Sequence, residues 1–327
     1  MKAIQIPEFG NAAVLRMADL PEPRPGEGEV LIAVKAAGVN YADIMMREGR
    51  YSLRQSLPFV PGFEAAGVVL ETGAGVADWK PGQRVMGTVL RDTCGCYAER
   101  AVMRAWLLME MPDRISYEEG AAFPEVFVTA YLALHVFGRL TPGESVLIHA
   151  AGGGVGTAAV QLAHAMGARV FATASSDEKL SKVSSLGADV PINYATHDFP
   201  AEIRKATEGQ GVNLVLESVG GEVFEKSLTC LSSLGRLVVY GASSGKGSAV
   251  NVRDLMGAMV SVAGFSYGAL SIVRPELIRQ CMAAVMNFLS AGQIRPVVGH
   301  TFPLAQARSA HELIASRASF GKVVLIP

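Results

Sequence analysis

Near the middle of the chain stand Ala151, Gly152, Gly153, Gly154, Val155 and Gly156, a run with little side chain to pack. A phosphate pair can approach a backbone closely only where no Cβ intrudes, and free N–H groups at a helix N-terminus then face its negative charge. Read as G-x-G-x-x-G/A, the register Gly152, Gly154, Thr157 fits loosely, because Thr157 is neither Gly nor Ala. The register Ala150-x-x-Gly153-x-x-Gly156 fits better. The implied chemistry is the gripping of a dinucleotide pyrophosphate by Gly153, Gly154, Val155 and Gly156. The plainer alternative is an ordinary glycine-rich turn between a strand and a helix.

The elements around the glycines favour the first reading. Residues 145–150 are a short, mostly apolar run of the kind that becomes a buried parallel strand. Residues 157–166 carry apolar side chains at helical spacing, Gly167 closes the helix, and 169–174 begin a second β-rich run, so that 144–176 reads as a βαβ unit. The end of that second strand chooses the cofactor. An NAD site usually places an Asp or Glu about 20 residues past the glycines, to bond the ribose 2′-hydroxyl. Here the stretch is Thr173, Ala174, Ser175, Ser176; Asp177 and Glu178 follow as a helix cap and a first-turn acid, and Lys179 is placed to reach a phosphate. NADP is favoured over NAD. The competing reading makes the serines a capping cluster and Lys179 a solvated helix cation.

At 327 residues the chain has room for two domains. Half its residues are hydrophobic and its formal net charge is −1, which advertises neither nucleic acid nor anionic lipid and suits a small-molecule substrate. Four cysteines do not make a disulfide framework, and residues 1–6 run into a strand without a charged-then-apolar leader, so a reducing cytoplasm is the expected compartment. The longest apolar stretch, 120–138, is interrupted by Pro124 and Glu125 and reads as a buried helix, with no membrane partner expected.

Residues 1 to about 120 are rich in short β runs, at 30–36, 65–70 and 84–89, punctuated by Pro-Gly pairs at 25–26, 61–62 and 81–82. They imply a mainly β, barrel-like unit. From about residue 118 helix and strand alternate: a helix ending at 180–187, then strand 190–193, helix 199–207, strand 213–218, helix 222–232, strand 236–240 and strand 259–264. Such alternation builds a parallel sheet covered on both faces. A long helix at 275–291 and a closing strand at 321–327 follow, with partners that the pattern leaves open.

Taken together, Met1-Lys2-Ala3-Ile4, Ala37-Gly38-Val39-Asn40 with Asp43, Pro61-Gly62-Phe63-Glu64 with Gly67-Val68-Val69, Gly82-Gln83-Arg84-Val85, Thr129-Ala130-Tyr131, the glycine run and Ile192-Asn193-Tyr194 resemble the medium-chain dehydrogenase/reductase superfamily, and within it the quinone oxidoreductase branch. The resemblance covers essentially the whole chain. It implies an α/β protein with a GroES-like mainly β catalytic domain formed by residues 1–120 and 265–327, and a Rossmann NADP-binding domain, a doubly wound parallel sheet, inserted at 121–264. Zinc-dependent members carry Cys where this chain has Asn40 and His where it has Phe63. Cys94 and Cys96 form a C-x-C pair with Cys230 and Cys281 far away, so no metal is expected.

The resemblance further implies a reductase that moves a hydride from C4 of NADPH to a quinone or similar conjugated acceptor, with donors aimed at the oxygen where charge develops. Asn40 and Tyr51 are the catalytic candidates, with Tyr41 weaker and Asp43 a structural acceptor. As alternatives, Asn40 could be a turn residue and Tyr51 an inert loop aromatic. Thr129, Ala242, Ser243 and Phe265 are expected towards the nicotinamide, and Ser175, Lys179, Tyr194 and Arg317 around the 2′-phosphate. Glu217 stands where relatives often have Asp, with an expected effect on packing. Two other functions stay open: a reductase of α,β-unsaturated aldehydes, ketones or acyl thioesters, decided by loops such as 45–58, and a non-enzymatic NADPH-binding protein. Kinship also implies a homodimer, paired through the edge strand at 259–264.

Overall fold

The computed structural model describes residues 1–51, 55–89 and 95–327; Cys94 and residues 52–54 of the 45–58 loop lie outside the described residues. The chain forms two compact units, one of Met1–Val126, Glu276–Met282 and Arg295–Pro327, the other of Phe127–Pro275 and Ala283–Ile294. The second unit thus runs past the expected break at 264, through the helix Tyr267–Val273. That helix is short and has a glycine in its first turn, and it left no periodic signal.

In the first unit β1 (Lys2–Gln5) and β2 (Arg16–Asp19) form an antiparallel ribbon. The eleven-residue β3 (Glu29–Val39) is the organising strand. It pairs with β4 (Glu64–Thr72), with β6 (Arg100–Arg104) and with the closing strand β15 (Lys322–Ile326). Beyond these lie β5 (Arg84–Thr88) and β7 (Leu108–Glu110) on one side and β14 (Val298–Pro303) on the other. Its core is branched and apolar, with Ile32, Val34, Val39, Val85, Met103 and Leu325 all buried. Antiparallel register places Gly38 opposite Glu64 in β4 and Val39 opposite Val323 in β15.

The second unit is built on six parallel strands: β8 (Ser145–Ile148), β9 (Arg169–Ala174), β10 (Val190–Asn193), β11 (Val212–Glu217), β12 (Leu231–Val239) and β13 (Ser261–Gly264). Their order is β10-β9-β8-β11-β12-β13, so the winding reverses between β8 and β11, the doubly wound arrangement whose reversal point receives ligands. Val146, Leu147 and Ile148 have no solvent access, as strands covered on both faces require. Three expected elements differ in detail. The helix expected over 222–232 stops at Leu228, because Leu231 already pairs with Val212 as the start of β12. The strand expected from 259 starts at Ser261, after a helix Val252–Ala258 that ends at left-handed Met259. The buried helix expected over 120–138 begins as two, Tyr117–Ala121 and Pro124–Tyr131, since Pro opens a helix without forfeiting a bond. Among the described residues no helix is long and apolar enough to cross a membrane.

One buried polar group braces this sheet. His149 follows β8 and is held by Thr173 Oγ1 at 3.0 Å and Ser227 Oγ at 2.8 Å. Ser227 donates its only hydroxyl proton to Val223 O, so it must accept from His149 Nε2–H, and Nδ1 accepts from Thr173. Both nitrogens are satisfied, and burial lowers the pKa of the ring to about 4, which keeps it neutral near pH 7. Below the ordinary histidine range the unfolded chain takes up a proton that the folded chain refuses until about pH 4, so stability is lost as pH falls. In denaturant unfolding between pH 6.5 and 4, His149→Gln is expected to flatten the slope of stability by up to about 1.4 kcal/mol per pH unit. An unchanged slope would refute the neutral, fully bonded ring.

Candidate active site

The glycine turn sits at the C-terminal end of β8, beside the reversal point. Gly153 is the N-cap of the helix Gly154–Ala165, and Gly154, Val155 and Gly156 form its first turn, with their N–H groups at the positive end of the helix. The two glycines differ in what confines them. A Cβ on Gly156 would lie 2.3 Å from Ala150 O and 2.6 Å from Ala151 Cα, so this residue must be small for the helix to meet its strand. A Cβ on Gly153 would meet only Ala150 O, at 3.3 Å. The space over Gly153 is open to a ligand.

Three of the four phosphate-clamp candidates follow the neighbouring strands β9 and β10, Ser175 and Tyr194 directly and Lys179 in the first turn of the next helix. Ser175 follows β9 directly, and Ser176 caps the helix Asp177–Ser184, its hydroxyl accepting Lys179 N at 3.3 Å. The cap is therefore Ser176, and Asp177 is the first helical residue. Tyr194 follows β10, donating its N–H to Ala174 O at 3.2 Å, and its ring is exposed. Partial burial draws Lys179 below the usual lysine pKa. Asp177, the nearest acid that could reach a ribose, instead accepts from Asn193 Nδ2 at 2.8 Å, and Glu178 pairs with Lys182 at 2.8 Å. The fourth candidate, Arg317, belongs to the first unit, in the turn after the helix Ala307–Ala315.

The candidates for the nicotinamide end also lie on this unit. Ala242 and Ser243 follow β12, with Ser243 N donating to Ser218 O at 2.9 Å. Phe265 follows β13 and stacks on Phe137 with ring centroids 4.8 Å apart. Thr129 is buried in the helix Pro124–Tyr131. Glu217 ends β11 wholly buried and accepts the N–H groups of Val219 at 2.7 Å and Gly220 at 3.1 Å, which holds the turn at the reversal point.

In the first unit Tyr51 and Asn40 contact the successive residues Phe63 and Glu64, and the structure adds residues that sequence reasoning missed. Tyr51 packs on Phe63 with centroids 5.8 Å apart, and Phe63 precedes Glu64. Asn40 Nδ2 donates to Glu64 Oε1 at 2.9 Å, while Lys322 Nζ donates to Asn40 Oδ1 and is paired with Glu64 Oε1, both at 2.5 Å. Lys322 was overlooked although it is the one cation in the apolar run 322–326, a signal visible in the sequence. Beneath them runs a buried chain of donors: Arg47 to His311 Nδ1 at 3.2 Å, His311 Nε2 to Tyr97 Oη at 3.2 Å, and Tyr97 to Asp43 Oδ2 at 3.1 Å. Asp43 also accepts from Asn40 N at 2.8 Å and Gly62 N at 3.1 Å. Burial nonetheless pushes Asp43 up to about 7, and it drives His311 down to about 3. Asp43 thus fixes the backbone on either side of the site.

A mainly β unit and a doubly wound sheet with a glycine cradle, carried on one chain, define a class of nucleotide-dependent oxidoreductases, and comparison with known proteins agrees. The family model described as "Alcohol dehydrogenase GroES-like domain" matches residues 26–113 and that described as "Zinc-binding dehydrogenase" matches 154–289. The quinone oxidoreductase of Sus scrofa is 34% identical over 328 residues, covering 100% of this chain and 98% of the pig protein. The Escherichia coli quinone oxidoreductase, solved with NADPH, superposes with a TM-score of 0.92 at 33% identity and full coverage of both chains. A mycobacterial protein solved with NADPH does so with a TM-score of 0.92 at 34% identity, again over both whole chains. The chain belongs to the medium-chain dehydrogenase/reductase superfamily, in its quinone oxidoreductase-like branch, and is an oxidoreductase.

Among the described residues, those at the place of a catalytic zinc do not match the zinc in the second family description. A catalytic zinc takes Cys, His or carboxylate ligands. At this place stand Asn40 and Phe63, and the oxygens of Asn40 and Glu64 already bond an ammonium. Among the described residues no group of three His, Cys, Asp or Glu side chains could hold a metal ion.

The two glycines should separate fold from binding. Gly156→Ala is expected to lower stability by about 1–3 kcal/mol through overpacking. Gly153→Val should change the melting temperature little and weaken dinucleotide binding at least about tenfold, since its side chain would occupy the open cradle. Thermal melts alongside fluorescence titration with NADPH and NADH check both; undiminished binding by Gly153→Val would place the pyrophosphate elsewhere.

Proposed function

We propose that this protein is an NADPH-dependent reductase that delivers hydride to a quinone or a similarly conjugated acceptor without help from a metal ion. The observation that carries the reading is the pairing of an open glycine cradle with strand ends bearing Ser175, Lys179 and Tyr194, while Asp177 is turned away onto Asn193. A carboxylate free at that position would select a ribose hydroxyl; hydroxyls and a cation suit a 2′-phosphate. The NADPH complexes of the two similar structures support the same choice.

When bound, NADPH supplies the hydride. The chain's own residues hold it and shape the acceptor site. The first turn of the helix Gly154–Ala165 meets the pyrophosphate with backbone N–H groups. Lys179 and Tyr194 engage the 2′-phosphate. Thr129, Ala242 and Phe265 line the nicotinamide end. Asn40 donates an N–H to the acceptor oxygen as negative charge grows there, and Tyr51, braced on Phe63, packs on the acceptor and offers its hydroxyl proton. A quinone or enone needs no Lewis acid, because conjugation already spreads the incoming charge.

The assembly that fits this chain is a homodimer. β13 ends the parallel sheet, and an unpaired edge invites a second strand. Close to it in the fold, Leu234 N donates to Met259 O at 3.0 Å, and Leu234, Met256 and Met259 are 76%, 73% and 58% exposed. A second copy pairing through β13 would cover them.

Turnover assays over a panel of quinones, enals, enones and acyl thioesters decide the acceptor class, and tight NADPH binding without any turnover would reject an enzyme. Lys179→Ala should raise the KM for NADPH by about 10- to 100-fold, the loss of a charge-assisted bond, and that for NADH by less than about twofold. Equal effects on both would remove the phosphate clamp. Light scattering should give twice the mass of one chain, and a monomer would overturn the dimer.

A further inference from the structure

Three neighbouring strands bring Lys322, Glu64 and Asn40 together by register. Val323 faces Val39 across the β15–β3 ladder, so Lys322 comes level with Asn40, and Gly38, two residues before Asn40, faces Glu64. Gly38 makes room for the carboxylate: a Cβ there would lie 2.8 Å from Glu64 Oε1 and 2.3 Å from Ala121 O. The Lys322 and Glu64 side chains are 3% and 0% exposed. Glu64 Oε2 accepts Glu125 N at 2.9 Å, which leaves Oε1 to serve Lys322 and the Asn40 amide.

A buried ion pair is weak evidence for stability, since apolar residues of equal volume commonly serve as well. This pair does something apolar residues could not. An amide has two orientations that differ by exchanging oxygen and nitrogen. With Lys322 on one side and Glu64 on the other, only one is tolerated: Oδ1 toward the ammonium and Nδ2 toward the carboxylate. Turning the amide over would set N–H against ammonium and oxygen against carboxylate. These two bonds use one of the two Nδ2 hydrogens, and Asn40 is only half-buried, so the other can meet an acceptor from outside. Accepting from a cation at Oδ1 also polarises the amide toward donation at Nδ2.

We propose that Lys322 and Glu64 are positioning residues that lock and polarise the Asn40 amide as the fixed hydrogen-bond donor to the acceptor oxygen. In this chain an internal ion pair thereby orients the group that stabilises developing charge. The inference rests on the reading of Asn40 as that donor.

The test is a cycle in steady-state kinetics at saturating NADPH: Asn40→Ala, the paired change Lys322→Met with Glu64→Gln, and all three together, against the unaltered protein with one quinone acceptor. The paired change is expected to lower kcat about 10- to 100-fold, part of what a preorganised donor supplies, with the KM for NADPH within about twofold. In the Asn40→Ala background it should lower kcat less than about twofold further, because nothing is left to position. Equal losses in both backgrounds, or no loss in the first, would overturn the positioning role while leaving Asn40 as donor. Full kcat in Asn40→Ala alone would overturn the Asn40 reading and the inference with it. If the paired variant melts well below the unaltered protein, Glu64→Asp, which keeps the charge and withdraws the carboxylate by one methylene, enters the same cycle under the same criteria.

Discussion

A lysine ammonium with almost no access to water must be matched where it stands, and the match between Lys322 and Glu64 fixes much of the first unit. Desolvating either charge alone would cost several kcal/mol, so the strands that carry them cannot slip. A shift of one residue in β3 against β4 would turn Glu64 to the opposite face of the sheet. The ion pair and the β3 register therefore depend on one another, and the place of Asn40 follows from both.

The layer beneath obeys the same rule with different groups. Arg47, His311, Tyr97 and Asp43 form one directed line of donors ending in a carboxylate that also holds the N–H groups of Asn40 and Gly62. Every polar atom in that line is spoken for, which is what lets it be buried at all. In the second unit Glu217 does comparable work, since its carboxylate closes the turn after β11 by collecting backbone N–H groups. Both units thus set their loops with buried carboxylates and leave the outward-facing positions to small, hydroxylated or amide side chains.

Much of the second unit could be read directly from the chain. The bounds of β9 and β10 coincide with the runs 169–174 and 190–193; β9, interior to the sheet, is buried from Val170 onward, and β10, at the sheet edge, is a short run that follows the Gly187 turn. The helix Val252–Ala258 escaped notice since none of its residues is buried, so it has no apolar stripe to betray it. Lys322 escaped for a different reason. A lysine at the start of a strand reads as an exposed end, and only its pairing across β3 makes it an interior charge.

By itself the sequence determined most of the elements, their alternation, the glycine cradle and the absence of an acid at the end of β9. These are local properties, written in spacing, in residue type and in the conformations a backbone permits. The tertiary structure alone decided that Asp177 is occupied by Asn193, that Gly156 is confined while Gly153 is open, and that Lys322 and Glu64 flank one amide. The first and third join residues far apart in the chain, brought together by the packing and register of neighbouring strands, and the second depends on how tightly the helix after β8 folds back on the turn at Ala150, which residue type alone does not give.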